Sequence, residues 1–192
     1  MEDQPNPEVY KPEYATELPN ILVTGTPGVG KTSLCTLLES QLPDDYDLNG
    51  FQYIKLTDLI KNEKLYKNWN EAFDVPEFDE DMVCDYLEPL MSGKGGIILE
   101  FHSCDFFPER WFQMIVLLRC NNTELYDRLK ERGYKEEKIT ENIECEIFGE
   151  LAEEVKSSYK PEITLELSSE KVDDMEENIV KIAERMRAIL RK

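Results

Sequence analysis

Residues 25–32 read Gly-Thr-Pro-Gly-Val-Gly-Lys-Thr, the spacing of a complete phosphate-binding loop. Gly25, Gly28 and Gly30 let the backbone curl until its N–H groups converge on phosphate oxygens, at the positive end of the following helix. Lys31 can reach the β- and γ-phosphates of ATP, and the Thr32 hydroxyl can ligate Mg²⁺. Val29 and Ser33 complete the expected nucleotide-binding set. The context agrees with the motif. Asn20-Ile21-Leu22-Val23-Thr24 suits a buried strand, and Leu34, Leu37 and Leu38 then recur at helical spacing.

Phosphoryl transfer is mostly positioning and charge neutralisation, so an acid near the metal and mobile arginines should complete the site. Glu100 ends the buried-type run Ile97-Ile98-Leu99, where a carboxylate can hold Mg²⁺; the plainer reading is a strand-end acid facing solvent. His102, the single histidine, follows two residues later, either packed or catalytic, with Asp105 able to orient it. Arg128 and Arg132 stand at i and i+4 and share a helix face. Gly133 gives Arg132 a hinge over the phosphates, although pairing with Glu124, Asp127 or Glu131 would also use these charges. Arg119, at another strand end, can touch phosphate or adenine, whereas Arg110 in Pro-Glu-Arg-Trp can lock its loop.

These residues need a frame, and the hydrophobic pattern supplies one. Strand-like runs at 20–24, 52–56, 97–99, 114–119 and 163–167 alternate with helical segments. The pattern predicts an α/β fold, a three-layer α/β/α sandwich around a five-stranded parallel sheet, with ligands beyond the carboxyl strand ends. A short helix is expected from Leu59, capped by Thr57 or Asp58. A further helix spans Asp79 to Met91, with Met82, Val83, Tyr86, Leu87 and Leu90 inward. Asn122-Thr123 caps another through Arg132. Ile139, Ile143, Ile147, Leu151 and Val155 mark one long helix, and Val172 to Ile189 the last. Residues 63–80 are aromatic and acidic and show no clear period.

The chain of 192 residues reads as one domain over 19–192 behind a polar tail at 1–18. No apolar run reaches the ~20 residues of a membrane span. The acidic, proline-containing start is unlike a leader, which points to cytosol or nucleus. Five scattered cysteines lack Cys-x-x-Cys spacing and read as reduced packing residues. A net charge of −19, from 41 acidic and 22 basic residues, disfavours general nucleic-acid binding and suits a basic protein partner.

Taken together, Asn20 to Thr32, Cys104-Asp-Phe-Phe-Pro-Glu-Arg-Trp111, Arg132-Gly-Tyr134, Asp79-Glu-Asp81, and Asn142-Ile143 with Cys145-Glu-Ile-Phe148 resemble the nuclear adenylate kinase isoenzyme 6 family, also called the coilin-interacting nuclear ATPase family. The resemblance runs from about residue 19 to the end. It implies a P-loop NTPase of the nucleoside monophosphate kinase type, with a monophosphate-binding region at about 55–79 and a short, zinc-free lid at about 131–141. It implies Mg²⁺-dependent transfer from ATP to AMP or a related monophosphate, with accompanying ATPase activity; the chain itself is expected to act as a monomer. It also implies a role in small ribosomal subunit maturation through a basic ribosomal protein, in nucleus and cytoplasm. Lys61 would then meet the acceptor phosphate, Asp58 and Arg119 would complete the substrate set, and His102 would position acceptor or water. Two positions depart from the family: Glu100 replaces its usual aspartate, and Lys61 its frequent arginine. The competing readings are an ATP-driven assembly switch and a small-metabolite kinase. The second is disfavoured by the acidic, aromatic stretch at 63–81, which offers little to bind a carboxylate.

Overall fold

The computed structural model describes residues 16–70 and 75–191. Most of the expected tail (1–15), and Phe73 of the aromatic stretch, lie outside the described residues. From Thr16 the chain is already docked: the Leu18 N–H donates to Lys94 O at 3.1 Å, and Leu18 bridges Gly95.

Strand β1 (Ile21–Thr24) is buried at every position, as its unbroken apolar run requires of a strand covered on both faces. It pairs in parallel with β5 (Ile97–Glu100) on one side and β6 (Met114–Arg119) on the other. The edges are β2 (Gln52–Lys55) and β7 (Thr164–Ser168), giving the order β2-β5-β1-β6-β7. Alternation along these strands makes two cores. Ile21, Val23, Ile98, Val116 and Leu118 face α1 (Lys31–Tyr46), α4 (Asn122–Glu131) and α7 (Val172–Leu190). Leu22, Leu99, Ile115 and Leu117 face α3 (Glu80–Met91) and an aromatic group that includes Phe101, Phe107, Trp111 and Phe112. The three-layer sandwich expected from the sequence is the fold observed.

Several elements differ from the expectation for local reasons. The 63–80 stretch contains an antiparallel hairpin, β3 (Tyr66–Asn70) with β4 (Val75–Phe78), in a sheet of its own. Helix α2 (Leu56–Asn62) begins three residues early on Lys55, with neither Thr57 nor Asp58 as its cap. Asn121, not Asn122, caps α4, its side chain accepting from the Glu124 N–H at 2.9 Å. In α3 the buried row is Val83, Leu87 and Met91, while Met82, Tyr86 and Leu90 are each about 40% exposed along the edge of that face.

The long helix predicted from Ile139 is two, α5 (Glu136–Phe148) and α6 (Glu150–Ser158). Gly149 takes the left-handed φ of 66° that ends the first helix and starts the second. The buried row of α5 is Ile139, Asn142 and Glu146, leaving Ile147 exposed. A polar residue turned inward there signals something other than core.

Asn20 fixes the start of β1 to three other elements. Its Nδ2 donates to Met91 O at 2.8 Å and Trp111 O at 3.0 Å, and its Oδ1 accepts from the Ile97 N–H at 3.1 Å, all in a fully buried position. Asn20→Ala leaves three buried backbone groups unpaired and should cost about 3 kcal/mol, enough to lower the melting temperature by roughly 10 °C. A fall of under about 3 °C in a thermal melt would show that water replaces the amide there.

Candidate functional site

All five parallel strands point their carboxyl ends to one side, and the glycine loop between β1 and α1 lies there. Its path leaves no room for side chains at two positions. A Cβ on Gly25, at φ 145°, would stand 2.6 Å from Leu118 O, and one on Gly28, at φ 102°, would meet Leu125 and Leu129 of α4 at 2.8 and 2.9 Å. The loop is thus pressed between the end of β6 and α4.

Lys31 is buried, and its Nζ donates to Gly25 O at 2.6 Å and Thr26 O at 3.2 Å. Burial lowers its pKa from 10.5 to about 8; Glu100 and Cys35 oppose that shift, and Arg132 adds to it. The ammonium therefore lies within the loop on neutral carbonyls, ready for an anion. Two buried hydroxyls beside the loop, Thr24 Oγ1 and Ser169 Oγ, lack hydrogen-bond partners.

Glu100 is buried at the end of β5 and does not face solvent. Thr32 Oγ1 donates to its Oε1 at 2.8 Å, and the Tyr53 hydroxyl donates to its Oε2. Burial first, then the hydrogen bond to Glu100, pushes the Tyr53 phenol far up, so it remains a donor. A hydroxyl and one carboxylate on a phosphate loop form the hard-oxygen donor set that suits Mg²⁺, which takes few protein ligands and completes its shell with water and phosphate. When bound, Mg²⁺ would neutralise phosphate charge; Thr32 and Glu100 are the residues fitted to hold it.

His102 follows at the surface, its ring 4.3 Å from that of Phe101. Desolvation by its neighbours lowers its pKa below 6.5, helped by Lys31 and Lys138 and opposed by Glu154. Its loop is anchored by α6. Glu154 accepts from the N–H groups of Cys104 and, at 3.1 Å, Asp105, and the Tyr159 hydroxyl donates to Cys104 O at 2.6 Å.

The arginines divide. Arg132 is the exposed C-cap of α4, near enough to Lys31 to depress its pKa, and Gly133 follows at φ 74° with open space around it. The expected lid thus comprises the turn between α4 and α5 and the first turns of α5. Arg128 points to the β7–α7 loop, donating to Ser169 O at 2.7 Å and Glu170 O at 2.8 Å rather than pairing with Glu124, Asp127 or Glu131. Arg119 binds Glu146 through Nε at 2.5 Å and reaches Glu166 at 3.5 Å. Arg110 pairs with Glu88 at 2.7 Å, locking its loop. Lys61 is exposed in the last turn of α2, and Asp58 pairs with Lys55 at 3.5 Å; both stand on α2, apart from the loop in sequence.

Sequence reasoning passed over Tyr53, Glu154 and Glu146. Glu146 is buried, accepting from Thr26 Oγ1 at 2.5 Å, Arg119 Nε and the Cys120 N–H at 3.2 Å. It joins the loop, β6 and α5, and lines a cleft of about 480 Å³ with Arg119, Asn121, Ser168 and Glu170. Asn142 and Glu146 at i and i+4 behind Ile139 were the available signal.

The Lys31 shift sets a pH dependence. A lysine with a lowered folded pKa is neutral in the fold while still protonated in the unfolded chain, so this group's contribution to nucleotide-free stability rises from about pH 8 to 10.5. Polyphosphate binding should run the other way, since it needs the ammonium. Affinity for a nucleoside triphosphate should fall by about tenfold between pH 7.5 and 9.5, and Lys31→Met should flatten that dependence, both read by equilibrium binding.

Known proteins fit this geometry. A family model described as an AAA domain matches residues 21–149. An adenylate kinase isoenzyme 6 homologue of Drosophila melanogaster is 48% identical over 79% of this chain and 82% of its own length. A homologue so described in Caenorhabditis elegans is 45% identical over 86% and 88%. Among solved structures, a shikimate kinase from Bacteroides thetaiotaomicron (TM-score 0.57, 16% identity, 88% of this chain and 98% of that one) and a gluconokinase from Sinorhizobium meliloti (0.53, 14%, 90% and 98%) share the fold. With its phosphate loop, parallel sheet and these relatives, the chain belongs to the adenylate kinase isoenzyme 6 family of phosphate-loop proteins.

Proposed function

We propose that the protein transfers the γ-phosphoryl group of ATP to a nucleoside monophosphate, AMP foremost, and slowly hydrolyses ATP when no acceptor is bound. The bond from γ-phosphorus to the β–γ bridging oxygen breaks, and one forms to an oxygen of the acceptor phosphate, giving two ADP. The observation that carries this reading is the Lys31 ammonium held on two loop carbonyls beside the Thr32–Glu100 pair. A cation and a metal-binding oxygen pair thus flank one phosphate position, which supports charge neutralisation during transfer.

The other residues take roles around that centre. Arg132, on its glycine hinge, swings toward the transferring group; Arg128 steadies the β7–α7 loop beside the cleft that receives the base; Lys61 and Asp58 serve the acceptor side; His102 orients acceptor or water. A second reading, an ATP-driven switch gripping a basic ribosomal protein during small-subunit maturation in nucleus and cytoplasm, draws support from the net charge of −19. Both readings take the working protein to be a monomer.

The deciding experiment follows ADP and free phosphate separately from Mg·ATP, with and without AMP. Two ADP formed per ATP consumed, with phosphate release suppressed, supports the kinase. Slow phosphate release indifferent to AMP but changed by a basic client supports the switch. Lys31→Met and Arg132→Ala should each reduce transfer by roughly 10²–10³-fold, and the exposed Arg132→Ala should leave the melting temperature little changed. Arg128→Ala should lower the melting temperature as well, because its guanidinium holds two carbonyls. Equal thermal behaviour of the two arginine variants would refute that division.

A further inference from the structure

We propose that Tyr53 is the positioning residue that makes a glutamate workable at position 100: it fixes one carboxylate oxygen so that the other meets Thr32 and the metal. The inference rests on the Mg·nucleotide reading above and concerns a residue outside the phosphate loop.

The sheet register explains why Tyr53 reaches this point. In the parallel β2–β5 pair, Tyr53 lies opposite Ile98 and Lys55 opposite Glu100. Ile98 packs in the core shared with α1, so Tyr53 and Glu100, each in phase with it, face α1 too. Tyr53 is thus the diagonal neighbour of Glu100, a separation that only a long side chain spans. Its backbone is held by the same helix. On this edge strand the Tyr53 N–H donates to Glu39 Oε1 of α1 at 2.9 Å. Tyr53 is therefore tied to α1 at both ends, directly through Glu39 and through Glu100 to Thr32.

A glutamate has one more side-chain torsion than an aspartate, and an unrestrained carboxylate there could point several ways. The two hydroxyls remove that freedom, one on each oxygen. When the Thr32 hydroxyl turns to a metal, Tyr53 is the donor that remains on Glu100. An aspartate at 100 would be too short to keep both contacts, so tyrosine and glutamate act as a pair.

The test is calorimetric titration of ADP at a series of free Mg²⁺ concentrations, and in EDTA, for the parent, Tyr53→Phe, Glu100→Asp and the double variant. Melting of each metal-free protein verifies folding. Tyr53→Phe should raise the Mg²⁺ concentration giving half the affinity gain by roughly tenfold, as loss of a metal ligand's supporting hydrogen bond does. Affinity in EDTA should stay within about twofold, because the loop and Lys31 are untouched. The double variant should be no worse than the poorer single one, since Glu100→Asp has already lost the tyrosine. A Tyr53→Phe midpoint within about twofold of the parent, or additive shifts in the double variant, overturns the inference alone. A parent whose ADP affinity ignores Mg²⁺ overturns it together with the functional reading beneath it.

Discussion

A buried ammonium that, among the described residues, pairs directly with no carboxylate is the constraint around which this site is built. Lys31 lies inside the loop with its hydrogen bonds on Gly25 and Thr26 carbonyls, and burial lowers its pKa to about 8. Such a group destabilises the empty protein, because desolvation opposes the charge and carbonyl dipoles only partly compensate. The cost persists only where the surrounding structure dictates it. Here the end of β6 and helix α4 confine the loop at the two glycines where no Cβ fits. Phosphate oxygens would relieve that cost, so affinity arises partly from strain already present without ligand.

The nearby carboxylates are kept off Lys31 by having other partners. Glu100 serves Thr32 and Tyr53; Glu146 serves Thr26, Arg119 and the Cys120 N–H. Each would otherwise be drawn to the lysine and close the phosphate position. Glu146 has a second consequence. It sits near the end of α5, whose first turn follows the Arg132–Lys135 turn, so one rigid helix connects the hinge of Arg132 to the hydroxyl of Thr26. Glu154 and Tyr159 do a similar service for the His102 segment from α6.

What the sequence disclosed and what it hid follow from range. The glycine loop, the five strands and the capping of α4 to within a residue depend on neighbours along the chain, so local pattern suffices. Gly149 was a local signal, but the fourfold spacing of Ile143, Ile147 and Leu151 outweighed it, and two helices read as one. The hairpin at β3 and β4 has a register shift between Tyr66 and Asn68 that spoils strict alternation. The remaining site residues are not local at all. Tyr53 is 47 positions from Glu100, Glu146 is 120 from Thr26, and Arg128 is 41 from Ser169. No periodicity carries such pairings. Tyr53 and Glu100 become visible as a pair once the β2–β5 register puts them on a shared face; the other two pairings depend on how α4 and α5 dock.

A net charge of −19 opposes a polyanion site at first sight, and distance resolves the conflict. At physiological ionic strength the Debye length is about 8 Å, so most surface carboxylates act on an approaching nucleotide only weakly. Inside the loop the relevant field is that of buried Lys31 and the backbone N–H groups, in a medium less polarisable than water, with exposed Arg132 at its margin. Global charge therefore governs what the outer surface attracts, while a few buried groups govern what the loop holds. The two can be selected separately. An acidic exterior suited to basic proteins is thus compatible with a phosphate site, provided the carboxylates nearest the loop are already engaged. Glu100 and Glu146 meet that condition.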